Sequence, residues 1–442
     1  MSVNTMKMLD MRQVKTRPMR SMRLRWQPID FGGINKMNLL SLSWAYLRAE
    51  PLNTFLNLLL LSLGMGTIVV LLLFNQQLEE RLSYDSRGID LVVGAKGSPL
   101  QLILSSIYHA DVPTGNIPLN EAKEIMQHEM VKTAIPLALG DNYQGYRIVG
   151  TTSAYPTHYG AVLADGHLWA NLLEVTLGAE VARQTGLNVG AHLLGVHGLM
   201  ADGPVHNQDT YTVTGILKPS GTVIDRLILT HLESVWKVHE SHHLENHEYQ
   251  TYSSFQAPSQ TERELTALLI QYKSPLAAIN LPRLINHQST LQAASPAYET
   301  VRLLQLVGFG VDTLRVFGIL LIITAALGMF IALYHALKER RYDLAIMRTL
   351  GASKARLLWQ LLFEGILMAT LGTLLGVLFG HIVIEMLGLW WTQAQQLQLT
   401  GWTYVEQEYT LFGLAFLIGS LSALLPAIQA YHTDIARTLS HG

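Results

Sequence analysis

The chain has 442 residues, of which 49% are hydrophobic and 14% are charged, with a mean hydropathy of +0.23. This balance is too apolar for an ordinary soluble protein and predicts an integral membrane protein with a large soluble part. The formal net charge of -2 argues against a nucleic acid partner, because a phosphate-binding domain would carry a clear basic excess. The sequence has no cysteine, which excludes disulfides and thiolate chemistry.

The first 78 residues predict a cytoplasmic segment followed by a membrane anchor. Residues 1–50 are rich in Lys and Arg and poor in acids, so the positive-inside rule places this basic tail and its amphipathic end in the cytoplasm. Residues 51–78 carry no charge and are long enough to cross the roughly 30 Å hydrocarbon core. Because this run has no small-residue cleavage site, we interpret it as a retained signal anchor and as span one.

Residues 79–312 contain no further spanning run and predict one globular unit on the far side of the membrane. Asn120 is expected to cap a helix, and Gly140, Asp141 and Asn142 are expected to form the turn of a hairpin. Gly186 is expected to end a helix. The remaining patterns predict strands at 90–94, 132–139, 146–152, 211–217, 226–230 and 268–272, and helices at 180–185 and 281–306.

Three more apolar runs complete the predicted membrane part. They are spans two, three and four, at 316–337, 365–384 and 409–431. The basic segment 338–364 lies between spans two and three and is expected in the cytoplasm, whereas the loop 385–408 has neither Lys nor Arg and is expected outside. This topology places both termini, including the tail 432–442, in the cytoplasm.

The segment 338–364, KERRYDLAIMRTLGASKARLLWQLLFE, has the pattern of a coupling element. Its apolar residues recur at helical spacing, Gly351 is suited to the left-handed conformation that ends a helix, and Ser353 can cap the next helix. A partner that pushes on such a short helix would move a membrane span. The residues expected to couple to such a cytoplasmic partner are Arg340, Arg341, Asp343, Ile346, Met347, Arg348, Leu350, Gly351 and Ala352.

Small residues within the spans are spaced for close helix packing. The clearest stripe is Gly372, Gly376 and Gly380 in span three. Such a stripe can pack within one chain or between two chains, and the sequence leaves both open.

At this point the chain resembles a known family, the FtsX/MacB/LolC-type permeases of bacterial ABC transporters. The family motif E-R-R-x-x-[IL]-x-x-x-[KR]-x-[LI]-G-A-S-[KR] is matched from Glu339 to Lys354, and Glu364 stands at the head of the next span. The segments VTLGAEVARQTGLNVGAHL, at 175–193, and YTVTGIL, at 211–217, are similar to motifs of the family's periplasmic domain.

The resemblance implies a membrane protein with four transmembrane α-helices and a large α+β extracytoplasmic domain between spans one and two. It also implies that 79–312 is a MacB-like periplasmic core domain with a β-rich subdomain inserted at about 155–256. The expected location is the bacterial inner membrane. The expected partners are a cytoplasmic ABC ATPase, a second permease chain in a homo- or heterodimer, and in some systems a periplasmic or outer-membrane protein.

The chain carries no recognisable ATP site of its own. Its nearest glycine-rich stretch, GAKGS at 94–98, lacks the G-K-[ST] ending of a P-loop and is expected outside the cell. ATP and Mg²⁺ are therefore expected on a partner ATPase, with no cofactor bound by this chain except zinc as a candidate.

The candidate zinc ligands come from a histidine-rich stretch. His239, His243 and His247 recur every four residues, which would align them on one helix face, and His242 lies beside them. The competing interpretation is a solvated polar loop, since many other residues of this stretch are polar.

Two functions from different classes fit these patterns. The first is the permease of a mechanotransmission-type ABC complex that does conformational work in the periplasm, for lipoprotein, peptide or drug export or for control of an envelope enzyme. The second is a non-transporting membrane scaffold or zinc-responsive envelope protein. An intrinsic hydrolase of the serine type is disfavoured, because G-x-S-x-G does not occur.

Overall fold

The structure is a computed structural model that describes residues 39–198, 205–238, 263–349, 351–390 and 399–432. Within these residues, four helices are long and apolar enough to cross a membrane. An α/β domain occupies the chain between the first and the second of them, as the sequence predicts.

The helices begin and end where local sequence signals place them. Pro51, Pro99, Pro275 and Pro296 stand in first turns, where proline fits without losing a hydrogen bond. The helices are α1 (Leu39–Ala49), α2 (Pro51–Asp85), α3 (Pro99–Ser106), α4 (Leu119–Met126), α5 (Ala154–His158), α6 (Ala179–Thr185), α7 (Pro275–Gln288), α8 (Pro296–Glu339), α9 (Arg341–Thr349), α10 (Lys354–Trp390) and α11 (Glu408–His432).

The strands of the external domain form one extended sheet. Its order is β12-β1-β11-β3-β4-β9-β6-β8-β5, with β7 paired to β3 and β8, and a separate pair joins β2 to β10. The strands are β1 (Leu91–Ala95), β2 (Ile117–Pro118), β3 (Val131–Tyr143), β4 (Tyr146–Thr151), β5 (Leu163–Gly166), β6 (Glu174–Leu177), β7 (His192–His197), β8 (Val205–Leu217), β9 (Ile228–His231), β10 (Glu264–Leu265), β11 (Ala267–Tyr272) and β12 (Leu291–Ala294).

The long strand β3 connects the two ends of this sheet, because it pairs with β11 on one side and with β4 on the other. One end of the sheet contains β1, from the start of the domain's sequence, and β11 and β12, from its finish. The other end contains β5 to β9, which lie within the predicted insertion at 155–256. The division into two subdomains stays a prediction.

The predicted turn at Gly140, Asp141 and Asn142 is wrong. Asp141 and Asn142 are buried inside β3 and pair across to β4, and the turn lies at Gln144 and Gly145. Both of these residues have positive φ, 50° and 85°, as a two-residue type I′ hairpin requires. The Asn142 side chain serves this turn from within the strand, since its Oδ1 accepts the Gly145 N–H at 3.0 Å.

Three other local expectations need correction. Helix α4 starts one residue before Asn120, whose side chain accepts only its neighbour's N–H, so Asn120 is not the cap. The predicted helix at 281–306 is interrupted by β12, which forms because β1 has a free edge that the chain can pair. The strand expected at 226–230 begins at Ile228, after a short 3₁₀ helix, Val223–Arg226.

The predicted helix at 180–185 is confirmed as α6. It ends at Gly186, which adopts a left-handed φ of 70°. The GAKGS stretch also has an ordinary structural role, because Ser98 caps α3 by accepting the Gln101 N–H at 3.4 Å.

The membrane helices pack around α2, which contacts α8 on one side and α10 on the other, while α11 contacts α10 and α8. The glycine stripe of α10 lies against α2 of the same chain. A Cβ at Gly376 would lie 2.7 Å from the Cβ of Met65, and one at Gly380 would lie 2.6 Å from Val69 Cγ1. The stripe at Gly372, Gly376 and Gly380 therefore serves packing within one chain.

Candidate functional site

The ends of the spans that lie away from the α/β domain meet at an elbow, which we define as residues 340–353. Helix α8 ends at Glu339, α9 follows as a separate short helix, and α10 begins at Lys354. Gly351 has a φ of +102°, and the Ser353 Oγ accepts the Arg356 N–H at 3.3 Å. The predicted short helix, glycine turn and serine cap are thus present.

Helix α9 packs on the ends of three membrane helices. Leu344 is buried with Leu337 of α8, Leu361 of α10 and Ala427 of α11, and Met347 lies at the edge of this cluster. A displacement of α9 would therefore press on three spans at once. The role of Met347 as an anchor for a partner stays a prediction, because part of its surface is used within the chain.

The remaining predicted coupling residues have different surroundings. Ile346 and Arg348 are half-buried on α9, and Ala352 bonds back to Met347 through its N–H at 2.9 Å. The side chains of Arg341 and Asp343, and the whole of Leu350, lie outside the described residues.

Arg340 sits at the centre of an ionic cluster at the elbow. One guanidinium nitrogen lies 3.6 Å from Glu364 of α10 and another lies 3.9 Å from Glu50. The guanidinium also stacks over the Tyr46 ring at 4.0 Å from its centre, and its side chain is 17% exposed. The charge of Arg340 is thus largely used within the chain, and its contact with a partner stays a prediction.

The same region holds the amphipathic helix α1 against the membrane helices. Gln360 of α10 donates to the Ser43 hydroxyl at 2.8 Å, and both side chains are buried. Leu47 packs in the apolar core between the spans. Helix α1 is therefore part of the elbow's support.

Two of the spanning helices continue without a break toward the external domain. Helix α2 has 35 residues and α8 has 44, which correspond to about 52 Å and about 66 Å. Both exceed the roughly 30 Å of a hydrocarbon core. Their outer parts form a two-helix stalk, which we define as residues 79–85 and 296–312.

The α2 half of the stalk is clamped to the external domain by a buried carboxylate. Asp85 accepts the backbone N–H of Val223 at 2.9 Å and lies 3.5 Å from Arg81 Nε. Arg81 also donates to the Gly221 carbonyl, and the Tyr159 hydroxyl donates to the Asp85 carbonyl at 2.9 Å. We define the stalk junction as Arg81, Asp85, Tyr108, Tyr159, Gly221 and Val223.

Tyr108 joins both stalk helices to the domain. Its hydroxyl donates to the Leu82 carbonyl of α2 at 3.1 Å and lies 2.8 Å from the Thr300 hydroxyl of α8. Burial raises the pKa of Tyr108, so the hydroxyl stays protonated and can donate while Thr300 donates to it. One side chain therefore links α2, α8 and the segment after α3.

The external loop is also held against the spans. Gln77 of α2 makes two reciprocal hydrogen bonds with the backbone of Thr400, at 3.0 and 2.9 Å. His381 of α10 lies 3.1 Å from Glu408, which is 1% exposed at the start of α11. The external ends of α2, α10 and α11 are thus joined by polar contacts.

The candidate zinc ligands His239, His242, His243 and His247 lie outside the described residues. Within the described part of the chain, no group of three or more His, Cys, Asp or Glu side chains could hold a metal ion. Zinc binding stays a prediction from the sequence.

The sequence predicted the elbow but not the stalk junction. Asp85, Tyr108 and Tyr159 had no motif to mark them. A usable signal was present in Arg81 and Asp85, an ion pair spaced four residues apart where an apolar helix turns polar.

Two family profiles match the chain over most of its length. The MacB-like periplasmic core domain matches residues 54–277, and the FtsX-like permease C-terminal domain matches residues 315–435. None of the curated proteins matches the chain.

Two solved structures are similar to parts of the chain. The periplasmic region of MacB from Actinobacillus actinomycetemcomitans has 12% identity and a TM-score of 0.31, and covers 50% of this chain and 95% of that one. The extracellular domain of the ABC-type transporter YknZ from Gram-positive bacteria has 11% identity and a TM-score of 0.27, and covers 46% of this chain and 99% of that one. From the two profile matches, which together cover most of its residues, the chain is a member of the FtsX/MacB-type permeases of ABC transporters.

Proposed function

We propose that this chain is the permease subunit of a mechanotransmission-type ABC complex. A separate cytoplasmic ATPase binds ATP and Mg²⁺ and presses on α9, and the movement travels along α2 and α8 to the periplasmic domain. The observation that carries this proposal is the continuity of these two helices from the elbow to the stalk junction. A continuous hydrogen-bonded helix transmits displacement better than a loop.

The work is done on the periplasmic side. The output is release or extrusion of a lipoprotein, peptide or drug, with or without a periplasmic or outer-membrane partner, or control of an envelope enzyme. Work on the periplasmic side, and not passage of a polar solute between the spans, is supported by the apolar cluster that fills the space between the described membrane helices. A pathway for polar solutes would line the spans with buried charges.

The functional unit contains two permease chains, identical or related, and two ATPase chains. Apolar side chains of α8 and α11 are exposed on the single chain, among them Phe309 at 81%, Phe317 at 59% and Phe416 at 60%. These faces are available to lipid or to a second permease. The mass of the detergent-solubilised complex tests this assembly, and a fully active particle with a single permease would contradict it.

In this arrangement both termini lie in the cytoplasm and the α/β domain lies in the periplasm. The chain has no cysteine, so single cysteines give clean labelling. A cysteine at exposed Lys218 should react with an impermeant reagent in intact cells, and one at exposed Ser353 should not. Labelling of Ser353 would overturn the orientation.

The coupling itself is tested by hydrogen exchange on the complex of this chain with its ATPase. Trapping the nucleotide-bound state should change amide exchange at the elbow, 340–353, and also at the stalk junction, 81–88 and 221–227. A scaffold would show no change at the junction when nucleotide binds. That outcome would leave the family assignment intact and reject the proposed mechanism.

A further inference from the structure

A cavity of about 280 Å³ opens in the external domain beside the stalk junction. Its walls come from the segment after α3, the β3–β4 hairpin, α6 and the 3₁₀ helix Val223–Arg226. Val223 of that 3₁₀ helix is the residue whose N–H is bound by Asp85. The cavity and the junction therefore share one structural element.

Three side chains that line this cavity each have an enclosed nitrogen atom that makes no hydrogen bond to the described residues. Arg147 Nη1, Arg226 Nε and His109 Nδ1 are each enclosed and have no hydrogen-bond partner among the described residues. Burial lowers the pKa of Arg147 and of Arg226, yet a guanidinium stays charged at neutral pH. Enclosed charges of this kind are normally paired.

The carboxylates near the two guanidiniums all accept hydrogen bonds from other groups. Asp111, near Arg147, accepts the Val112 N–H at 2.7 Å, and Asp85, near Arg226, accepts the Val223 N–H at 2.9 Å. Asp225 accepts the N–H groups of Ser220 and Gly221, at 3.0 and 2.8 Å, and the Ser220 hydroxyl at 2.8 Å. Glu180 contributes one negative charge to the wall, but its oxygens accept from Arg183 and from Gln184. The wall thus keeps two guanidiniums against one carboxylate.

His109 adds a neutral donor to the two charges. Burial and the nearby charges of Arg147 and Arg226 hold the pKa of His109 well below its usual value, so the ring is neutral. Its Nε2 lies 3.0 Å from the Tyr155 hydroxyl. Burial raises the pKa of Tyr155, which can therefore donate to Nε2 and leave the proton on Nδ1, the enclosed nitrogen.

We infer that this cavity binds an oxyanion, a carboxylate or phosphate group, through Arg147 and Arg226. Planar guanidiniums match the geometry of such groups, and their charge-assisted hydrogen bonds are the strong ones. Oxyanion binding in this cavity does not require that the chain transmit movement from an ATPase. The group can belong to a free anion or to a larger periplasmic molecule, since the hairpin side of the cavity carries the exposed residues Gln144 and Gly145.

The test measures thermal unfolding of the purified full-length chain in detergent. Inorganic phosphate and sodium acetate are titrated at constant ionic strength, with chloride as the balancing salt. We expect a saturable rise in the unfolding midpoint with phosphate, acetate or both, because a ligand that binds the folded state stabilises it. The stronger of the two identifies phosphate or carboxylate as the preferred group.

Variants then connect the response to the cavity. Arg147→Met and Arg226→Met should each weaken the apparent affinity by about tenfold or more, the loss of one charge-assisted bond. Gln144→Glu is isosteric and exposed, so it should preserve the fold and still weaken binding by adding a negative charge at the rim. Arg263→Met removes an exposed guanidinium elsewhere on the domain and should leave the response unchanged.

Two results would overturn the site. One is the absence of any phosphate- or acetate-dependent shift beyond that of chloride. The other is a shift that keeps the same affinity in Arg147→Met, Arg226→Met and Gln144→Glu. If both Arg variants fail to fold, Gln144→Glu alone decides between a cavity site and general surface binding.

Discussion

The elbow and the stalk junction lie at opposite ends of the same helices and are built differently. At the junction, side chains bind backbone groups: Asp85 binds the Val223 N–H, and Tyr108 binds the Leu82 carbonyl. At the elbow, the ionic contacts join side chains to one another, with Arg340 at 3.6 Å from Glu364 and 3.9 Å from Glu50.

The difference gives the two ends different mechanical properties. A side chain that binds a backbone group fixes the position of the main chain, whereas two long side chains can stay paired while their helices shift. The elbow also has a glycine at positive φ between two helices, a place where the backbone can redirect the chain. We therefore expect the junction to act as a clamp and the elbow as a hinge.

The largest expected effect is loss of the clamp in Asp85→Ala. This change removes the acceptor of the Val223 N–H and leaves Arg81 enclosed without its carboxylate, which costs about 3–5 kcal/mol for a buried pair. Chemical unfolding of the full chain measures the loss. The control is Asp312→Ala, which breaks an exposed pair with Arg315 and should cost about 0–1 kcal/mol. Equal losses in the two variants would mean that Asp85 clamps nothing.

At the elbow, Arg340→Met should have a smaller effect. It leaves the buried Glu364 without a countercharge, yet Arg340 is itself partly exposed, so we expect about 2 kcal/mol, between the values for exposed and buried pairs. Glu364→Gln in the same background should restore part of this loss, because it removes the unpaired charge. An additive double variant would show that the two residues do not interact.

The elbow is predictable from the sequence because its signals are local. Gly351 and Ser353 act on residues within a few positions of themselves, and helix ends obey such short-range rules. The partners in the junction are far apart in the chain. Asp85 and Val223 are separated by 138 residues, and Tyr108 and Thr300 by 192, so no local pattern could pair them.

The β3–β4 hairpin shows a different limit. Gly140, Asp141 and Asn142 are strong turn formers, yet β3 continues through them because β4 and β7 both pair with this part of it. Asp141 and Asn142 stay buried, and Asn142 donates to the Gly198 carbonyl at 2.9 Å. Tertiary pairing here overrides local propensity, which a single sequence cannot reveal.

The hinge is tested more directly by Gly351→Val. A Cβ at this position would meet no atom within 4 Å, so the cost comes from the backbone at φ +102° and should be about 1–3 kcal/mol. Transport or signalling activity in cells should fall while the ATPase still co-purifies with the chain. Gly413→Val is the control, since it also meets open space but lies within α11 without a positive φ. Comparable loss in both variants would exclude a special role for the Gly351 conformation.

Tyr108→Phe should have the smallest effect on the free energy of unfolding, and it is the sharpest test of the clamp. The ring stays in its apolar surroundings and only the hydroxyl is lost, with its bonds to Leu82 and Thr300, so unfolding should weaken by about 1–2 kcal/mol. Coupling should fall more than stability, because this hydroxyl bonds both stalk helices to the domain at one point. In the nucleotide-trapped complex, hydrogen exchange should still change fully at 340–353 but less at 221–227, where Asp85 alone still binds the Val223 N–H. Tyr298→Phe, which removes a hydroxyl from a residue that is 70% exposed on α8, should behave as the unmodified chain. If Tyr108→Phe keeps the full response at 221–227, movement reaches the domain by another route and the clamp is not part of the mechanism.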